Sequence, residues 1–131
     1  MDTRKRVLVV DDEPGIRNFL RIKLRVSGYD VITTMSGAEA IELVKAQEPD
    51  IMLLDVLMPD VTGMDVLDKV RTFSQVPIIV FTGRPDIFQV ALKLGANDYI
   101  AKPFNPDLLV DKINGVLSTR QRTRGDNASE E

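Results

Sequence analysis

Apolar residues follow two alternating rhythms along this chain. Continuous or near-continuous runs stand at Val7–Val10, Asp30–Thr34, Ile51–Leu54, Pro77–Phe81 and Asp98–Ala101. Between them, apolar residues return at helical spacing. VLVV, IMLL and PIIVF are almost wholly apolar, as parallel strands covered on both faces are. DVITT is more polar and is expected at a sheet edge. Pro14 opens a first helix with Ile16, Phe19, Leu20 and Leu24 inward, and Gly28 ends it. Ser36 to Glu39 has the form of a capping box before Ala40, Ile41 and Val44. Thr62 caps a third helix carrying Met64, Val66, Leu67 and Val70. Pro85 opens a fourth, with Ile87, Val90, Ala91 and Leu94 apolar. Asn105-Pro106 opens a fifth, with Leu108, Leu109, Ile113, Val116 and Leu117 inward.

This alternation predicts an α/β fold, (βα)5, with one parallel five-stranded sheet. Five units are too few for an eight-stranded barrel, so the sheet is open and doubly wound, with helices on both faces. The natural strand order is 2-1-3-4-5. Ligands of such sheets bind outside the carboxyl ends of the strands, where the order reverses. That point lies between the first and third strands. After Leu117 the chain reads STRQRTRGDNASEE, with Ala128 its sole apolar residue. Residues 1–118 are therefore expected to form one domain, and 119–131 a frayed helix end followed by a flexible tail or linker.

Composition narrows the chemistry. At 131 residues and 44% apolar, the chain is long enough for one core. It has no run near the roughly 20 apolar residues of a membrane span and no signal-peptide pattern, which fits a cytoplasmic protein. It contains neither cysteine nor histidine. Disulfides, thiol catalysis, histidine triads, two-histidine metal sites and phosphohistidine are thereby removed. The net charge of −3 argues against direct nucleic-acid binding by this segment.

The polar residues at the predicted strand ends share one rim. Asp11 and Asp12 follow the first strand, Asp55 the third, Thr82-Gly83 the fourth and Lys102-Pro103 the fifth. Taken singly these read blandly: Asp55 as a loop starter, Asp11-Asp12 as helix caps, Lys102 as a solvated lysine, Tyr99 as a half-buried strand aromatic. Together they converge on the reversal point with the charges a phosphate–metal site needs. At about 4 Å and an effective dielectric of about 20, each pair of like charges costs on the order of 4 kcal/mol. Protonation relieves this, and so does a bound cation. Hard oxygen donors without His or Cys favour Mg²⁺, with Mn²⁺ able to substitute. Lys102 and the Thr82 hydroxyl can meet phosphoryl oxygens, and a carboxylate such as Asp55 can attack phosphorus. The DDEPG loop would repel the phosphate of a flavin. Its adjacent aspartates also differ from the D-x-D of aspartate-nucleophile phosphatases.

VLVVDDEPG, LLDVLMPDVTG, VFTG and DYIAKPF, each at a strand end and in this order, resemble the receiver domain of two-component response regulators from Arg6 to about Leu117. The resemblance implies a flavodoxin-like fold and a signalling switch rather than an enzyme. Such a switch catalyses only its own phosphotransfer and slow autodephosphorylation. Asp55 would be the phosphoacceptor. Asp12, Asp55 and the Leu57 carbonyl would ligate Mg²⁺ directly, and Asp11 through a water. Thr82 and Lys102 would contact the phosphoryl group. The resemblance further implies a cis Lys102–Pro103 bond, a Met58-Pro59 loop, and Gly63 permitting the turn into the third helix. Tyr99 would be the switch aromatic, turning inward as Thr82 moves and altering the face of helix 4, strand 5 and helix 5. Leu57 and Arg84 would set phosphoryl lifetime. The implied partners are a sensor histidine kinase or phosphotransfer protein, an output domain or partner protein, and a second copy in a phosphorylation-dependent homodimer. Phe88 and Leu108 stand where one transcription-factor subfamily carries charged pairs. This departure weakens the case for that subfamily's dimer and suits an apolar contact with a different partner.

Overall fold

The computed structural model describes residues 4–58 and 62–129, with side chains as far as residue 119. Five strands, β1 (Arg6–Val10), β2 (Asp30–Thr34), β3 (Ile51–Asp55), β4 (Ile78–Thr82) and β5 (Asp98–Ala101), alternate with helices α1 (Pro14–Val26), α2 (Gly37–Gln47), α3 (Gly63–Arg71), α4 (Phe88–Lys93) and α5 (Pro106–Ser129). The strands pair in parallel in the order 2-1-3-4-5, the order expected for five such units and implied by the family resemblance. Each observed strand lies within one residue of its run.

Alternate strand residues feed two separate cores. Val7, Val9, Ile51, Leu53, Ile79 and Phe81 face α1 and α5, where they meet Leu20, Leu24, Leu109 and Ile113. Leu8, Val10, Met52, Leu54, Ile78 and Val80 face α2, α3 and α4. This two-sided burial explains why the central runs are apolar at every position rather than at every second one. No helix among the described residues is long and apolar enough to cross a membrane.

Helix starts follow the local chemistry, with qualifications. Ser36 accepts the Glu39 N–H at 3.1 Å, but its own N–H donates to the Thr34 hydroxyl. Half of the expected capping box is thus formed, and a threonine supplies the rest. Thr62 accepts the Asp65 N–H as an N-cap. Pro85 opens a 3-10 turn, Pro85–Ile87, and not α4 itself. With three residues per turn instead of 3.6, that turn shifts the phase of the helix that follows. Phe88 and Ala91 therefore face the core, and Val90, expected inward, lies exposed.

Two further inward positions differ. Successive helical residues are about 100° apart, and the face of α5 turned to the core is centred on Leu109 and Ile113, which leaves Leu108 outside it. Leu109 is buried and Leu108 exposed. Phe19 is likewise displaced to the surface by its neighbour Leu20. The α5 backbone also continues to Ser129, beyond the frayed end expected at Ser118. Arginine and glutamine sustain helical hydrogen bonding without any apolar stripe, so the end of the stripe did not mark the end of the helix.

Candidate functional site

The carboxyl ends of β1, β3 and β5 bring the predicted charges together. Asp11 is fully buried and Asp55 is 3% exposed. Lys102 enters from β5 and places its Nζ 2.8 Å from Asp11 Oδ2 and 3.1 Å from Asp55 Oδ2. The Lys102–Pro103 peptide bond is cis, as expected. Each aspartate is fixed through its second oxygen: Asp11 Oδ1 accepts the Glu13 N–H and Asp55 Oδ1 the Leu57 N–H. Arg17 donates to the Asp11 carbonyl at 2.8 Å, tying α1 to the same loop. No buried side-chain nitrogen or oxygen among the described residues lacks a partner.

The electrostatics are those of a site short of positive charge. Burial pushes the Asp55 carboxyl above the ordinary aspartate range, and the Asp11 charge adds to the rise. The Leu57 N–H and the Lys102 ammonium oppose it without cancelling it. Burial alone would lower the Lys102 ammonium, yet Asp11 and Asp55 together outweigh that and hold it above the usual lysine range. One lysine thus faces two buried carboxylates, with half-buried Asp12 beside them. Asp11, Asp12 and Asp55 each offer an oxygen within 4.8 Å of the others. Three hard oxygen donors without nitrogen or sulfur fit Mg²⁺ or Mn²⁺.

These site features agree with a family-wide match. Residues 7–114 match the model of the response regulator receiver domain. The chain belongs to this family. A response regulator receiver domain protein (CheY-like) from Methanospirillum hungatei superposes with a TM-score of 0.87 at 28% identity, covering 92% of this chain and 99% of that one. The DNA-binding response regulator MtrA of Mycolicibacterium smegmatis is 42% identical over 89% of this chain and 53% of its own length. A probable transcriptional regulator ycf27 of Guillardia theta is 41% identical over 89% of this chain and 47% of its own. This receiver therefore spans about half the length of the curated relatives it matches.

Thr82, Leu57 and Arg84 lie around the same rim, whereas Tyr99 lies further back within β5. Thr82 is buried at the end of β4, and its hydroxyl accepts the Arg84 N–H, leaving its own O–H to donate. A Cβ at Gly83 would meet nothing within 4 Å, so space is open beside it. Leu57 is exposed. The Arg84 guanidinium is paired with Asp86 at 2.7 Å on the surface. Tyr99 is 37% exposed and stacks on Phe88, with ring centroids 4.3 Å apart and planes at 27°. Phe88 is thus buried beneath Tyr99, which corrects its expected place on an exposed contact surface with Leu108. Pro59 of the predicted loop lies outside the described residues.

Two contributions escaped the sequence reading. Glu13 places Oε1 3.7 Å from Lys102 Nζ, a third carboxylate on the same ammonium. Its position beside Asp11-Asp12 was the available signal. Gly63 has a role other than the turn expected of it. A Cβ there would stand 2.2 Å from Val56 Cα and 2.5 Å from the Asp55 carbonyl oxygen. The first turn of α3 therefore abuts the backbone directly after Asp55, and glycine is needed for that contact.

Gly63→Ala is expected to destabilise the fold by about 3 kcal/mol or more, since backbone must move to admit the methyl group. Urea unfolding measures this. A second expectation concerns pH. A carboxyl raised by burial favours folding while protonated, and that contribution is lost as pH rises from the ordinary aspartate value through the raised one. Without divalent metal, Asp55→Asn should therefore melt a few degrees above the wild type at neutral pH, and the gap should narrow toward about pH 4. Calorimetry across that range checks the sign.

Proposed function

We propose that this receiver accepts a phosphoryl group on Asp55 from the phosphohistidine of a sensor histidine kinase or phosphotransfer protein. The observation that carries the reading is the Lys102 ammonium bridging Asp11 and Asp55 beside a three-carboxylate cluster. An Asp55 carboxylate oxygen forms the new P–O bond as the P–N bond to histidine breaks, and the released imidazole takes up a proton. Lys102 and the Thr82 hydroxyl face the equatorial oxygens of the transferring group. Such transfer depends on positioning and charge neutralisation, which these fixed residues supply. Asp12, Asp55 and the Leu57 carbonyl would hold Mg²⁺, with Asp11 acting through a coordinated water. When bound, the ion supplies charge neutralisation at the phosphoryl oxygens. The chain promotes only its own phosphorylation and slow dephosphorylation.

The new acyl phosphate adds about −1.5 to −2 charges near neutral pH. Thr82 follows that charge, and Tyr99 turns from its exposed stack on Phe88 toward the space left behind. The α4–β5–α5 face changes with it, a local electrostatic event biasing a two-state element. That face then addresses an output domain, a partner protein or a second copy. Because the matched relatives are named transcriptional or DNA-binding regulators, a DNA-binding output is the favoured reading. Residues 1–118 act as the receiver and 119–131 as the connector, in the cytoplasm.

The direct test is incubation with acetyl phosphate and Mg²⁺ followed by intact-mass measurement. A gain of one phosphoryl group is expected in the wild type and none in Asp55→Asn. An unmodified wild-type mass would refute the proposal. Leu57 has no polar group to orient an attacking water, and Arg84 can swing over the phosphoryl group because exposed ion pairs hold only about 0–1 kcal/mol. Arg84→Ala should therefore shorten the phosphoryl half-life several-fold, followed by loss of the added mass. An unchanged half-life would exclude a covering role.

A further inference from the structure

The sheet order sets a geometric problem for Lys102. It leaves from the end of β5, and its partner Asp55 stands on β3, with β4 between them. Neighbouring strands lie about 4.8 Å apart, so the lysine side chain must cross β4 to reach its carboxylates. The β4 residue paired with Asp55 is Phe81. Its side chain belongs to the α1–α5 core, in phase with Ile79. Lys102 Nζ lies over the Phe81 ring, 4.8 Å from its centroid. The ring is itself almost fully buried and is held edge-on by Phe104, with centroids 6.1 Å apart at 90°.

An ammonium crossing a buried apolar surface loses hydration on that side. An aliphatic side chain returns nothing for that loss, whereas the negative face of an aromatic ring attracts the cation. We propose that Phe81 is a positioning residue: its ring face forms a floor that holds the Lys102 ammonium at Asp55 during phosphoryl transfer. This rests on Asp55 being the acceptor.

The test replaces Phe81 with mono-, di- and trifluorophenylalanine, which keep the ring's shape while draining its negative face. Acetyl phosphate labelling should slow stepwise along the series. At the trifluoro residue it should lie between about threefold and thirtyfold below wild type. The melting temperature should fall by only a few degrees along the series, as the loss of one cation–ring contact requires, and the dependence of the rate should vanish in a Lys102→Met background. In the metal-free wild type, the Lys102 ε-methylene protons should resonate upfield through the ring current, and Phe81→Leu should abolish that shift. Equal rates along the series in a chain that does label, or ε-methylene shifts at ordinary lysine positions, would overturn the proposal. A wild-type chain that takes no phosphoryl group would instead overturn the acceptor role of Asp55, and this inference with it.

Discussion

The rim at the carboxyl ends of the sheet depends on one ammonium group. Lys102 sits between two carboxylates that water barely reaches, and without it Asp11 and Asp55 would face each other uncompensated. Buried charges persist only when paired and hydrogen-bonded, and each oxygen here has a partner. The pairing is incomplete in charge, since Asp55 remains harder to ionise than in water. A site left in that condition favours whatever brings further positive charge, a divalent cation among them.

The backbone makes this arrangement possible. β1 and β3 are neighbours because the strand order reverses between them, which puts Asp11 and Asp55 at adjacent strand ends. Lys102 reaches the same point from beyond the end of β5. On the other side, Gly63 brings α3 against the carbonyl of Asp55. Asp55 is thus braced by the main chain of α3, which moves less readily than a side chain.

Much of this was legible in the sequence because it rests on local pattern. The run Ile51–Leu54 closing on Asp55 marked both a buried strand and the rim where the charged side chains gather. Asp11, Asp12, Thr82 and Lys102 were recognisable because each follows such a run. What escaped depends on neighbours distant in sequence or on helical phase. Phe81 reads as one more apolar strand residue until the register sets it beside Asp55 and beneath Lys102. Phe88 and Val90 exchange places because the chain enters α4 through a 3-10 turn, which no apolar spacing announces. Gly63 looked like a turn glycine because sequence shows permissive residues but not the atoms pressed against them.

The division of the interior by the sheet has a consequence for how such a chain can vary. Side chains on the α1–α5 side and on the α2–α3–α4 side do not interdigitate, because the strands stand between them as a wall. Substitutions in separate compartments with no shared partners tend to add rather than couple. One half can therefore be repacked while the other stays as it is, so a lineage can redesign the packing beneath α4 without rebuilding the layer that supports the lysine.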